Sequence, residues 1–538
     1  MQTILYNGEI YQNRDQFVQA LVVEDGWIVF AGTSADAQAF ASVQAEQIDL
    51  QGRTVVPGFQ DSHLHFFWTA EFQDTLDLYG ATSIAESKER ARQFLEANPH
   101  STVLWGRGWN QDYFTDECRL LNRFDLDAIS TEIPIILTRA CGHVAACNTL
   151  ALQVCGITAQ TSQPAGGHFD VDEAGIPLGI LRENALEFTS GLKPSITAAH
   201  VAQQLTKISA LANAQGITSV HTNDLTIGAP DSTEIEQGYV AYSQAEPTVR
   251  IYHQVSFASM EEFALRVSQG YHNNETPFHR YGPLKLFADG SLGARTASLR
   301  NPYQDDPATA GMLCLNAQQL EEFVRFASEH EIQVAIHAIG DGAIELVLDT
   351  YAKTNSSDNP LRHGIIHCQI TDLPLLKRFQ AQQILAYVQP IFLHYDLHIV
   401  EDRVGKELAS TSYAFHTMEE LGLHIAYGSD APVEPFHVMN NLHCAVNRQD
   451  LQEYPQGGFH PQECVDIASA VDYYTIGSSY ASFEETKKGR LLPGFAADLA
   501  VLSQPIFTIP SSLIRHTEVE LTMVDGRVVY QRDPQSTN

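Results

Sequence analysis

Thr54-Val55-Val56-Pro57-Gly58-Phe59-Gln60-Asp61-Ser62-His63-Leu64-His65 is the stretch on which the reading of this chain turns. Its first half is β-branched and apolar, the composition of a buried strand. It closes on two histidines one residue apart. Side chains alternate along a strand, so His63 and His65 project to the same side. Two imidazoles held in parallel at a strand end can grip one divalent cation, and imidazole is the commonest neutral metal ligand. Alone, a His-x-His pair is a weak signal, since surface and capping histidines show the same spacing.

Four later residues strengthen it. Lys285 lies inside Pro283-Leu284-Lys285-Leu286-Phe287-Ala288, where an ammonium has no evident reason to be buried. His337 ends Ile332-Gln333-Val334-Ala335-Ile336, His367 ends Gly364-Ile365-Ile366, and Asp430 follows Leu423-His424-Ile425-Ala426-Tyr427-Gly428-Ser429. Each alone reads as a core histidine, a strand-edge lysine or a capping aspartate. Together they form the series His-x-His, Lys, His, His, Asp, each on its own strand-like segment. Independent structural explanations for all six are improbable.

Working outward, strand-like runs end near His65, His221, Val255, Ala288, His337, His367, Pro390 and Asp430, separated by helix-length spacers such as Leu320 to Glu331 and Ala343 to Lys353. Eight strands alternating with helices predict an α/β chain with a (β/α)8 TIM barrel over residues 58–488. In such a barrel catalytic groups come from the C-terminal ends of different strands, where the polar series falls. The spacer after the first strand, about 66–200, is too long for one helix and is expected to be an insertion serving as a lid or substrate wall. Both chain ends read as hairpins: Ala20 to Phe30 and Leu521 to Tyr530 each carry an Asp-Gly pair between β-rich runs, the strongest local hairpin signal. They predict one small β-sandwich built from residues 1–57 and 489–538.

Composition bounds the function. Of the 538 residues, 65 are acidic and 32 basic, a formal charge of −33. That argues against nucleic acid and anionic membranes, which reward clustered positive charge. Met1-Gln2-Thr3-Ile4-Leu5-Tyr6-Asn7-Gly8-Glu9 lacks the basic start and apolar core of a secretory signal, and no apolar run approaches the roughly 20 residues of a membrane helix. The eight cysteines lack paired CxxC spacing, so they are expected as reduced thiols in a soluble, cytoplasmic protein. A homodimer is the expected assembly, dimers being the commonest.

A binuclear centre uses every member of the series: His63, His65 and Asp430 on one ion, His337 and His367 on the other. Lys285 is puzzling as an ammonium beside two dications. Carboxylated by CO₂ it becomes an anionic carbamate able to bridge them. Two Zn²⁺ ions are favoured for a hydrolytic site with nitrogen and oxygen ligands, with manganese, iron, cobalt or nickel left open. A bound dication lowers the pKa of its water from about 16 to roughly 7. Asp430 is then the expected catalytic acid and base, taking the proton and delivering it to the leaving amine.

The ordered set from Pro57 to His65, with Lys285, His337, His367 and Asp430, resembles the amidohydrolase superfamily. More narrowly, Gly106-Arg107-Gly108-Trp109-Asn110-Gln111, Lys285 to Gly293, Gln333 to Asp341, Gly428 to Val433, Lys488 to Gly494 and Ala497-Asp498-Leu499 are similar to the branch typified by N-substituted formamide deformylase. The resemblance spans nearly the whole chain. It implies a distorted barrel, a composite β-sandwich and hydrolysis of C–N bonds in small linear or cyclic amides of the N-acyl or N-formyl amine type. One departure is Leu361-Arg362-His363-Gly364-Ile365-Ile366-His367, where relatives commonly carry an acidic residue directly before the histidine, which leaves the supporting partner of His367 open.

Phe66, following the metal pair, is a candidate for lining an apolar pocket, with helix packing as its alternative. The motif resemblance points Trp109 and His143 toward the site, with loop anchoring as the alternative. Arg295 could meet a carbonyl or carboxylate, or form a structural ion pair. Two other functions compete. Deamination of a nucleobase-like ring can use the same metal apparatus, but a mononuclear deaminase has no need of Lys285. A non-catalytic scaffold on the same fold should show gaps in the ligand series, and none is missing.

Overall fold

The apolar runs in the middle of the chain pair in parallel and in sequence order. The computed structural model describes residues 2–139, 144–164, 166–192, 195–273, 275–354 and 358–533. It divides into two units, one of Met1–Thr69 with Thr197–Asn538, the other Ala70–Ile196. At the centre of the first are eight strands: β1 (Phe59–Leu64), β2 (Ile217–Thr222), β3 (Arg250–Phe257), β4 (His279–Phe287), β5 (Val334–Ala338), β6 (Gly364–His367), β7 (Leu385–Val388) and β8 (Ile425–Tyr427). Each is hydrogen-bonded to the next from β1 through β8. Every residue of β1, β2, β6, β7 and β8 is buried, which is why these strands read as continuous apolar runs rather than alternating ones.

The seam between β8 and β1 closes just past the strand ends. The Asp430 amide donates to the His63 carbonyl and the His65 amide to the Ala431 carbonyl, both at 2.7 Å. Gly428 permits that approach, since a Cβ there would lie 2.6 Å from the His63 nitrogen. The result is a nearly closed, distorted barrel. Among the helical spacers, Ala317–Glu329 is started by an Asn316–Gln319 capping box and buries Leu320, Val324 and Ala327 at helical spacing. Asp341–Thr354 follows β5 and buries Ile344, Val347, Leu348 and Tyr351 at helical spacing.

The chain ends build two further sheets. One orders Trp27–Gly32, Ala20–Glu24, Gln2–Tyr6 and Glu46–Asp49; the other orders Arg527–Gln531, Val519–Val524, Leu499–Leu502, Thr54–Pro57, Glu9–Asn13 and Gln16–Val18. The two ends meet where Thr54–Pro57 pairs antiparallel with Leu499–Leu502, Val55 opposite Val501. Leu5, Leu21, Ile28, Val55, Leu499, Val501 and Met523 share one apolar core. Both Asp-Gly turns are present with positive φ at each residue: 49° and 87° at Asp25 and Gly26, 53° and 73° at Asp525 and Gly526. Arg250, on the first residue of β3, ties this sandwich to the barrel through Asp498 at 2.7 Å and Asp525 at 3.1 Å.

The opening run is therefore two strands rather than one. Thr54–Pro57 belongs to the sandwich and Phe59–Leu64 to the barrel, with the break at Gly58, where a Cβ would strike the Thr218 side chain at 2.3 Å.

Residues 70–196 form a unit of their own, with a six-stranded sheet ordered Gly167–Val171, Pro177–Glu183, Val144–Cys147, Ile135–Arg139, Leu104–Trp109 and Leu76–Asp77. It has its own cores, one around Leu104, Trp109, Leu126 and Leu137, another around Ile136, Cys147, Leu152 and Phe169. The seven described cysteines are free thiols. Among the described residues, no helix is long and apolar enough to cross a membrane.

Candidate metal centre

The six polar residues picked out by position converge on the C-terminal ends of β1, β4, β5, β6 and β8. Ring centroids lie 5.6 Å apart for His63 and His65, 5.5 Å for His63 and His367, and 4.5 Å for His337 and His367. Asp430 Oδ1 is 3.3 Å from His63 Nε2 and 3.4 Å from His65 Nε2. Lys285 Nζ is 3.5 Å from His63 Nε2. Donor atoms of His63, His367 and Asp430 all fall within 4.8 Å of one another. Two of these residues sit in the left-handed backbone region, His367 at φ 83° and Asp430 at φ 59°, a conformation that side chains tolerate mainly where surrounding structure enforces it.

Each imidazole is oriented by a hydrogen bond on the ring nitrogen turned away from the cluster. His63 Nδ1 donates to Gln254 Oε1 at 2.6 Å, His65 Nδ1 to the Asn223 carbonyl at 2.7 Å, and His367 Nδ1 to Gln389 Oε1 at 2.8 Å. These acceptors fix the hydrogen on Nδ1 and leave the Nε2 lone pair facing the other ligands. His337 is held the opposite way, donating from Nε2 to the Gly290 carbonyl at 3.1 Å, which leaves Nδ1 available. The acceptors are anchored in turn. Gln254 Nε2 donates to the Ser62 carbonyl at 3.0 Å, and Asn223 Nδ2 to the Gln254 carbonyl at 2.7 Å. Asp289 accepts from the amides of Ser298, Ile339 and Gly340, fixing the loop that carries Gly290. Asp61 Oδ1 accepts from the amides of His63 and Ser429, clasping β1 to the turn before Asp430.

Electrostatics agree with a site built for cations. Burial, then the neighbouring Lys285 and the other imidazoles, pushes His63 well below the ordinary histidine range, and burial with His337 and Lys285 does the same to His367. Both rings are therefore neutral at neutral pH. Burial lowers the Lys285 ammonium to about 7. Its side chain is 1% exposed, and among the described residues no carboxylate lies within salt-bridge distance of it. Four imidazoles with directed lone pairs, one carboxylate and a buried amine make a donor set that fits divalent metal ions.

The structure places the other sequence candidates elsewhere. Trp109 is fully buried in the core of the 70–196 unit, and its indole N–H is committed to the Leu137 carbonyl at 2.8 Å, so packing replaces the substrate contact. Arg295 forms a bidentate pair with Asp305 at 2.8 and 3.1 Å, the structural alternative. Phe66 is fully buried, its amide bonded to Thr222 Oγ1, so it packs rather than lining a pocket. His143 lies outside the described residues. Sequence reasoning missed Gln254, Gln389, Asn223 and the Gly290 carbonyl. Gln389 directly follows the apolar run of β7, the one signal that marked it; a backbone carbonyl gives none.

Comparison with known proteins agrees with this geometry. Residues 46–530 match the model of the amidohydrolase family. The protein YtcJ of Bacillus subtilis (strain 168) is 33% identical over 540 residues, covering 99% of this chain and all of that one. N-substituted formamide deformylase of Arthrobacter pascens is 24% identical over 96% of each chain. Among solved structures, a metal-dependent hydrolase from Pyrococcus furiosus superposes with a TM-score of 0.77 at 28% identity, covering 94% of this chain and all of that one.

Proposed function

Because the chain belongs to the amidohydrolase family, and so is a metal-dependent hydrolase acting on C–N bonds, we propose that it cleaves small linear or cyclic amides of the N-acyl or N-formyl amine type. The observation that carries this is the convergence of four oriented imidazoles, Asp430 and the buried Lys285 on one end of the barrel. In this reading His63, His65 and Asp430 hold one ion and His337 and His367 the other, zinc being the favoured metal. Lys285, carboxylated to a carbamate, would offer the ions an anionic oxygen donor. Its neutral amine would attack CO₂, a C–N bond forming as one proton leaves, so that the uncharged amine becomes an anion with two oxygen donors. What supports the carbamate is donor chemistry, since an ammonium at this position has an imidazole and the Phe287 ring for near neighbours and, among the described residues, no carboxylate within salt-bridge distance.

Divalent ions held here supply Lewis acidity toward a carbonyl oxygen and lower the pKa of water from about 16 to roughly 7. The chain's own part is orientation and proton transfer. Gln254, Asn223 and Gln389 keep the imidazoles aimed, while burial keeps His63 and His367 neutral. Asp430, at the mouth of the barrel beside His63 and His65, accepts the proton of the attacking water and returns it to the amine nitrogen as the C–N bond breaks. The relative that acts on N-substituted formamides supports this choice of leaving group.

Elemental analysis of the purified protein, paired with turnover of an N-formyl and N-acyl amine panel before and after chelation, tests the reading. Close to two ions per chain, with activity lost on chelation and regained on adding zinc, is expected. At most one tightly held ion, with a free lysine amine in a crystal structure, would replace the binuclear centre by a single-metal one.

A further inference from the structure

The loops leaving β4 to β8 line an open cavity of about 180 Å³ at the same end of the barrel as the candidate metal centre. Ser291, Ile339, Gln369, Phe392, Asp396 and Glu434 are among the residues that line it. The Phe392 ring lies over His367, centroids 5.7 Å apart and planes 13° from parallel. Ser291 follows Gly290, whose carbonyl holds His337. The cavity is thus an annex of the candidate metal centre.

Its polar wall carries the carboxyl groups of Asp396 and Glu434, the Gln369 amide and the hydroxyls of Ser291 and Tyr395. Asp396 is buried and takes hydrogen bonds from Tyr413 Oη at 2.6 Å and Gln369 Nε2 at 2.8 Å. Gln369 is 4% exposed and commits its Nε2 to Asp396 and Tyr413, while its Oε1 has no hydrogen-bond partner among the described residues. Glu434 is half-buried, and among the described residues no cation lies within salt-bridge distance of it. Burial, then the charge of Asp396, pushes the Glu434 carboxyl up to about 7, and burial lifts Asp396 to about 6. Among the described residues neither carboxyl group is paired with a cation and the Gln369 amide oxygen is orphaned, and leaving buried polar groups unmatched is costly. Phe392 and Tyr395 add aromatic faces on which a cation can rest.

We infer that this cavity is a specificity subsite for a protonated amine carried on a short alkyl arm of the substrate. The inference rests on reading the adjacent centre as a C–N hydrolase. Asp396 and Glu434 neutralise the ammonium, Gln369 Oε1 takes one of its hydrogens, and Leu292, Ile339 and Val433 receive the alkyl arm.

Two measurements separate the subsite from the catalytic reading. Calorimetry on the metal-loaded protein compares n-butylammonium with n-butanol and butyrate. Turnover compares mono-N-formyl-1,4-diaminobutane with N-formylpentylamine, which replaces the ammonium by a methyl group. Butylammonium should bind at least about tenfold tighter than butanol, the scale of hydrogen bonds to a charged group, and the cationic formamide should lead in kcat/KM by a similar factor. Glu434→Gln should erase most of both preferences and Glu434→Lys should reverse them, with circular dichroism melts confirming that each variant is folded. Selective butylammonium binding without turnover of either formamide would uphold the subsite and remove the N-formyl amine reading of the centre. Equal turnover of the two formamides, with butylammonium binding no tighter than butanol, would overturn the subsite and leave the hydrolase intact.

Discussion

Gln389→Leu should weaken metal binding without unfolding the protein. Gln389 Oε1 takes the hydrogen of His367 Nδ1 at 2.8 Å, and the residue is buried. Leucine is close in size but offers no acceptor, so the His367 ring is no longer held with Nε2 toward the other ligands. Losing such an outer partner typically lowers metal affinity by about 10- to 100-fold, or about 1.4–2.7 kcal/mol. Folding stability should respond much less. One hydrogen bond is lost, worth about 0.5–1.5 kcal/mol net, and His367 Nδ1 becomes an unmatched buried donor. Against that, Gln389 Nε2 has no partner among the described residues, and leucine removes that orphan. The two orphan penalties offset, leaving about 1 kcal/mol. Chelator competition gives the metal affinity, and urea unfolding of the metal-free protein gives the stability. Unchanged affinity with a stability loss above about 3 kcal/mol would show that Gln389 supports the core and not the centre.

Lys285→Ala should lose metal and activity together, and a short carboxylic acid in the buffer should restore part of both; full activity in the untreated variant would make the lysine structural. Asp430→Asn should reduce amide hydrolysis by about 10²–10⁴ and an activated ester less, because an ester's leaving group needs little protonation; equal losses, with metal content checked, would make Asp430 a ligand only. Against the pull of burial, Lys488 and Arg280 hold the half-buried Glu484 carboxyl down at about 2, from 4.5. Being depressed in the fold, it contributes stability that is fully present above about 4.5 and lost as pH falls toward 2, on the order of 3 kcal/mol. Glu484→Gln should flatten that stretch of a stability–pH profile measured by urea unfolding, and an unchanged profile would exclude Glu484 as its source.

The barrel was legible because its strands are buried on both faces and end abruptly in residues that do not belong in an apolar run. His63, His337, His367 and Asp430 mark strand ends as clearly as they mark a cluster. The two Asp-Gly turns announced the sandwich through a backbone demand few residues meet. The remainder was hidden for physical reasons. Gln254 and Gln389 are neutral amides that could serve any buried contact, so only their partners reveal their task. Asp61 and Gly428 act by closing a seam between segments far apart in the chain. Trp109 and Arg295 misled because an aromatic ring packs a core, and a guanidinium pairs with a carboxylate, as readily as either meets a substrate.

The pairing of Thr54–Pro57 with Leu499–Leu502 sets a clock on biosynthesis. The two strands are separated by roughly 440 residues, and ribosomes add about 5–20 residues per second. The first strand therefore waits roughly 20 to 90 s for its neighbour, with Val55 and Val56 deprived of the cover they have in the finished fold. An uncovered apolar strand is an invitation to wrong pairing. The sandwich is thus the last part of the first unit that can be completed, and a nascent chain stalled within the barrel carries an open β-edge at its oldest end.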